Sequence, residues 1–111
     1  MRRGIVKYNY IVAGYITEYD NGEYEFVYDE KYIENFPTQF ITFQMPVTKN
    51  RYLSKKLFPF FDGLIPEGWM LNIASESWKI NKNDRMGLLL ACCQNTIGAV
   101  SVHLKNDLID E

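Results

Sequence analysis

The strongest constraint on the fold is the triplet Asp20-Asn21-Gly22, which separates two β-prone runs. Asn and Gly tolerate the positive φ of a tight turn, so a hairpin is expected there. Upstream, Ile5–Tyr8 and Ile11–Glu18 read as strands joined through Asn9-Tyr10. Downstream, Glu23–Tyr28 alternates with period two, placing Tyr24, Phe26 and Tyr28 on one face. Asp29–Phe36 predicts one or two helical turns, with Asp29 as cap and Pro37 as stop. Phe40–Phe43 reads as a further short strand closed by Met45-Pro46. Lys49–Lys56, with four positive charges, reads as a solvated loop in preference to a phosphate-contacting patch.

The second half has helical spacing. Ser54 is expected to cap a helix through Leu57, Phe58, Phe60 and Phe61, which Pro59 shortens or bends. Gly63–Gly68 breaks the chain. A helix from Trp69 to Lys79 would carry Leu71, Ala74 and Trp78 on one stripe, and Asn83 would cap another through Met86, Leu89, Leu90 and Cys93. Ile97–His103 reads as a strand returning to the N-terminal sheet. The expectation is a single α+β domain over residues 1–111, with its core in 5–104 and an acidic tail in 105–111. It would be an N-terminal antiparallel sheet, a hairpin or meander of about four to five short strands rejoined by the C-terminal one, packed with about three to four short helices.

Composition narrows the function classes. With 47% hydrophobic and 15% aromatic residues among 111, the chain can bury one core. Fourteen acidic against twelve basic residues give a net charge of −2. The pI is about 5.4, far from the value of about 9 typical of generic nucleic-acid binders. Seven carboxylates and one Lys between Glu18 and Glu34 read as a solvated outer face. The apolar run Met86–Cys93 is far short of the roughly 20 residues of a membrane span. Lys7 interrupts the N-terminus too early for a signal-peptide core. A soluble, cytoplasmic protein is expected. Cys92 and Cys93 are neighbours, with Cα atoms about 3.8 Å apart, inside the usual lower limit of about 4.4 Å for a disulfide, so buried reduced thiols are expected. With His103 as the single histidine, a tetrahedral zinc site cannot be built from this chain alone.

Catalytic signatures are missing. Gly63 and Gly68 are isolated and form no phosphate loop, and neither His-Arg-Asp nor Asp-Phe-Gly occurs. Ser54, Ser75, Ser77 and Ser101 are expected to lack a histidine partner and a Gly-x-Ser-x-Gly frame. Asp62 and Glu67 read as solvated helix-end residues in preference to an acid–base pair. No enzyme activity, cofactor or metal is expected.

The unusual feature is Phe58–Leu71, which crowds three Phe, one Trp and one Met around a loop stiffened by Pro and Gly. Side chains at 69, 70 and 71 spread over about 200° of a helix. If Leu71 faces the core, Trp69 points elsewhere. An indole there serves either as a partner's anchor or as cover for the core edge, and the sequence is compatible with both. The candidate partner-binding residues are Gly63, Ile65, Pro66, Glu67, Gly68, Trp69 and Met70.

Phe60-Phe61-Asp62-Gly63-Leu64-Ile65-Pro66-Glu67-Gly68 resembles the Phe-pair, Pro-Glu-Gly motif of the N-terminal subdomain of HipA-type serine/threonine kinases. Asn95-Thr96-Ile97-Gly98-Ala99-Val100 is similar to that family's later Gly-Ala-Val/Leu strand. Ala13-Gly14-Tyr15 with Asn21-Gly22, and Met45-Pro46-Val47, fall where its opening hairpin and Leu-Pro-Leu segment stand. The resemblance spans residues 5–104, and the chain stops where a full-length kinase core would begin. It therefore resembles the HipS family, free-standing small antitoxin subunits of tripartite HipBST toxin–antitoxin modules. Such a resemblance implies a non-catalytic subunit that binds and inhibits a HipA-like, HipT-type kinase. It further implies a helix-turn-helix HipB-like protein in a larger complex with DNA, and an indirect effect on translation through the kinase's aminoacyl-tRNA synthetase targets. Met70, Leu71 and Asn72 stand where many members carry arginine, which shifts the expected contact towards an apolar anchor at Trp69 and Met70. The competing expectation is a DNA-linked component of a toxin–antitoxin repressor complex, without direct kinase inhibition, with Arg2, Arg3 and Lys49–Lys56 on phosphates.

Overall fold

Two tight reversals build the sheet. Asn9 (φ 49°) and Tyr10 (φ 70°) are both left-handed, as a type I′ turn requires, and join β1 (Arg2–Tyr8) to β2 (Ile11–Glu18). Gly22 follows at φ 88°, with Asn21 Oδ1 accepting from the Glu23 N–H at 3.0 Å, and β3 (Tyr24–Tyr28) returns along β2. The computed structural model describes residues 1–94, 96 and 98–105, and the side chains of Trp69 and Ala74 lie outside what it describes. Five antiparallel strands stand in the order β4-β3-β2-β1-β5, with β4 at Tyr52–Ser54 and β5 at Val100–Leu104. Among the described residues, four helices complete an α+β fold, as expected: α1 (Glu30–Asn35), α2 (Pro59–Asp62), α3 (Gly68–Trp78) and α4 (Arg85–Cys92).

One face of the sheet makes the core. Val6, Ile16, Phe26 and Val102 are fully buried there with Phe61 of α2 and Met86, Leu88 and Leu89 of α4. Gly4 lets α4 approach: a Cβ on it would sit 2.8 Å from Leu90 Cδ2. The stack Phe26–Tyr28–Tyr32 continues the core to α1, with ring centroids 4.9 and 6.0 Å apart. Asp29 caps α1 by accepting from the N–H groups of Lys31 and Tyr32, as its sequence position indicates.

Several local readings change. Phe40–Phe43 is not a strand. Tyrosine hydroxyls satisfy its backbone instead: Tyr32 donates to the Gln39 carbonyl at 2.6 Å, and the Ile41 N–H donates to Tyr28 Oη at 3.2 Å. The chain then turns through Met45 N–H to Thr42 C=O at 2.9 Å. Lys49–Lys56 contains strand β4, paired to β3 with Tyr52 opposite Phe26; the flanking cations mask a segment of three residues. Ser54 belongs to β4 and caps no helix. The helix begins at Pro59, where the missing N–H would be unpaired in any case. The acidic run is not merely a solvated face, since Glu25 is 7% exposed and accepts from Arg51 Nη1 at 2.9 Å. Trp78 leaves the core and is 59% exposed. Lys79 (φ 54°) ends α3 in the left-handed region, and Ile80 N–H bonds back to Ser75 C=O at 3.0 Å, so that Ile80 packs inward.

Asp84, one residue beyond the expected cap at Asn83, caps α4 by accepting from Gly87 N–H at 3.2 Å. It also takes the Arg2 guanidinium in a fork at 2.8 and 3.0 Å, while Arg2 Nε donates to Glu18 at 2.7 Å. Asp84→Ala is therefore expected to cost about 1–2 kcal/mol, mostly from the lost cap because the pair is part-exposed. The hydrogen bond from Arg2 holds the Asp84 carboxyl below its ordinary value. A depressed folded pKa means the pair's contribution is complete above about pH 4 and vanishes as pH falls through the lower, folded value. Urea unfolding at stepped acid pH checks this: the wild-type loss below pH 4 should shrink in the Asp84→Asn protein.

Candidate partner-binding site

The loop between α2 and α3 is fastened from below. Phe61 has no exposed surface and lies among Phe26, Phe58 and Phe60, with ring centroids at 5.6, 6.2 and 5.3 Å. Gly63, Leu64 and Ile65 donate back to Pro59, Phe61 and Asp62 at 2.9, 3.0 and 3.2 Å, winding α2 into a closed turn. Cys93 Sγ donates to the Leu64 carbonyl at 3.4 Å, and Arg85 Nε holds Asp62 at 2.7 Å. The loop is thus tied to α4 by an ion pair and a thiol contact.

These ties sort the seven candidate residues. Ile65 is 2% exposed and serves as the loop's anchor in the core, offering no side-chain surface to a partner. Gly63, Glu67, Gly68 and Met70 are exposed, and Pro66 is half-buried. Gly68 has φ 63°, and a Cβ on it would meet nothing within 4 Å. Backbone conformation, not space, calls for glycine there. Trp69 is the second residue of α3, and its side chain lies outside the described residues.

Sequence reasoning missed Ile73 on this surface and the exposure of Trp78 at the far end of α3. Ile73 and Trp78 are 53% and 59% exposed, beside Met70 at 54%. Met70 and Ile73 stand three apart and share one helix face, while Trp78 falls about 80° round from Met70. Leu71 and Ser75 occupy the half-buried side. The Met70/Ile73 spacing was a readable signal; assigning Trp78 to the core stripe hid the outward face. Met70 and Ile73 thus form an exposed apolar pair on one face of α3, and Trp78, close in angle to Leu71 and at the far end of the helix, is exposed separately.

Elsewhere the chemistry is quiet. Burial pushes the Cys93 thiol up to about 12, so it stays protonated, and Cys92 and Cys93 are free thiols. Among the described residues no His/Cys/Asp/Glu cluster fits a metal ion. Asp62 pairs with Arg85 and not with Glu67. The expectation that Ser101 lacks a histidine is corrected: its Oγ lies 2.9 Å from His103 Nε2, because residues two apart on a strand share a face. Burial and the neighbouring Lys7 ammonium hold the His103 pKa below its ordinary value. A cation beside that ring is the opposite of the carboxylate that orients and charges a catalytic imidazole.

The fold and this surface define a small α+β domain with a pinned loop leading into α3, which carries exposed apolar side chains. The family model of the HipA N-terminal domain matches residues 5–103, and the chain belongs to that family. An uncharacterized protein of Haemophilus influenzae is 29% identical over 83 residues, covering 75% of this chain and 74% of that protein. The solved N-terminal domain of HipA toxin superimposes with a TM-score of 0.73 at 23% identity, over 96% of this chain and 95% of that one. That last likeness is one of fold. No helix among the described residues is long and apolar enough to cross a membrane.

Proposed function

We propose that this chain is a non-catalytic antitoxin or regulatory subunit. It binds and inhibits a HipA-like, HipT-type serine/threonine kinase in a cytoplasmic tripartite toxin–antitoxin module. The observation that carries the reading is the outward side of α3, where Met70 and Ile73 are more than half exposed beside a loop fastened by Ile65 and Asp62. A rigid apolar projection loses little conformational entropy on docking. Membership of the HipA N-terminal domain family supports a kinase of that type as the occupant. A fitting interface buries on the order of 1,600 Å² in total, with a few central anchors supplying most of the affinity.

The test is capture of a HipA-like kinase lacking its own N-terminal domain, using wild-type chain and the variants Trp69→Ala and Met70→Asp/Ile73→Asp. Trp69→Ala is expected to weaken binding by about 2 kcal/mol, roughly thirty-fold, and the double aspartate variant by at least as much. Affinity unchanged in every variant would remove α3 and its loop from the interface.

A further inference from the structure

The sheet has a second face, opposite the helices α2 and α4 that cover Val6, Ile16, Phe26 and Val102. Strand pairing sets His103, Ile5, Tyr15 and Val27 in one row across it, each half-buried. Cations frame that row. Arg3 and Lys7 flank Ile5 on β1, and Lys105, whose N–H bonds to Arg3 C=O at 3.1 Å, lays its ammonium 5.4 Å from the Tyr15 ring centroid. The strand ladder places one carboxylate on this face, Glu25, and Arg51 holds it. Among the described residues carboxylates return at the α1 border, with Glu30, Glu34 and Asp29, which takes the Tyr15 hydroxyl at 3.1 Å. A chain of net charge −2 thus gathers Arg3, Lys7 and Lys105 on one partly apolar sheet face.

We propose that this face is a docking surface distinct from α3, for an acidic protein segment that spaces carboxylates with aliphatic side chains. Charge complementarity selects the acid: among the described residues Arg3, Lys7 and Lys105 form no salt bridge, and such a group of cations attracts and orients an anionic partner. Ile5 and Val27 select the aliphatics. They also argue against single-stranded nucleic acid, which is held on aromatic stacking platforms, whereas the row has one phenol ring, already covered by Lys105. The segment lies across the face and does not add to the sheet beside this row at β5, where the Val102 N–H is already taken by the Cys93 carbonyl at 2.8 Å.

Fluorescence anisotropy on the whole chain tests this. The probes are a labelled synthetic peptide alternating Glu with Val, a Lys-for-Glu peptide of the same length, and a labelled single-stranded oligonucleotide. The Glu/Val peptide should bind, losing about ten-fold in affinity in Lys7→Glu/Lys105→Glu and a comparable factor on moving from low to high salt. Lys7→Arg/Lys105→Arg should retain it, which separates charge from any folding defect. No binding of the Glu/Val peptide, equal binding of the Lys/Val peptide, or tighter binding of the oligonucleotide would overturn the proposal. Because the probe is a peptide and not the kinase, the result stands apart from the reading of α3.

Discussion

Replacing Phe61 with alanine is expected to destabilise the chain by about 3–5 kcal/mol, the range for truncating a fully buried aromatic ring. The ring has no solvent-exposed surface and is surrounded by three other phenyl rings, Phe26 from the sheet and Phe58 and Phe60 from its own turn. Helix α2 has four residues, too few to persist without packing. A domain of this size commonly holds about 5–15 kcal/mol in total, so the loss is about a fifth of the reserve or more. Thermal unfolding followed by circular dichroism should show the midpoint falling by about 15 °C or more. A fall of only one or two degrees would mean that the site collapses around the gap and that Phe61 is not the keystone described. The same ring underlies the α2–α3 loop, so the variant should bind the kinase less well even where it remains folded.

Gly14→Ala should be nearly as damaging, for a backbone reason. A Cβ at Gly14 would lie 2.2 Å from the Val27 carbonyl oxygen and 2.8 Å from the Phe26 ring. A carbonyl within the adjoining strand cannot swing aside as a flexible side chain can. The β1–β2 register shifts between Val6 and Lys7, and Val6 faces Gly14; such bulges bend a strand locally. The expected cost is about 3 kcal/mol, read by urea unfolding. Gly22→Ala is the informative contrast. Its Cβ would meet nothing within 4 Å, and only the positive φ of 88° penalises it, at about 1 kcal/mol. Equal costs at the two positions would contradict the steric account of Gly14.

The sheet was largely legible because its information is local. Asn9 and Gly22 readily take the left-handed backbone that a tight turn demands, and period-two alternation in 23–28 shows its buried face directly. Helix α1 was legible for the same reason, through Asp29 and Pro37. The failures share one physical cause: partners distant in sequence. Phe40–Phe43 has strand-like residues, but Tyr28 and Tyr32 satisfy its backbone from β3 and α1. β4 is a strand only because β3 stands beside it. Asp84 displaces Asn83 as the α4 cap because Arg2, more than eighty residues away, holds its carboxylate. The loop at Gly63–Gly68 could be seen as a break. Which side chains turn outward could not, because Ile65 is assigned to the core by its packing and Trp78 is excluded from it by the left-handed turn at Lys79.

The most direct measurement is the activity of a HipA-like kinase, lacking its own N-terminal domain, titrated with this chain while autophosphorylation is followed. Activity should fall to background near one equivalent of the wild-type chain and persist with Met70→Asp/Ile73→Asp. Undiminished kinase activity at saturating wild-type chain would contradict the account.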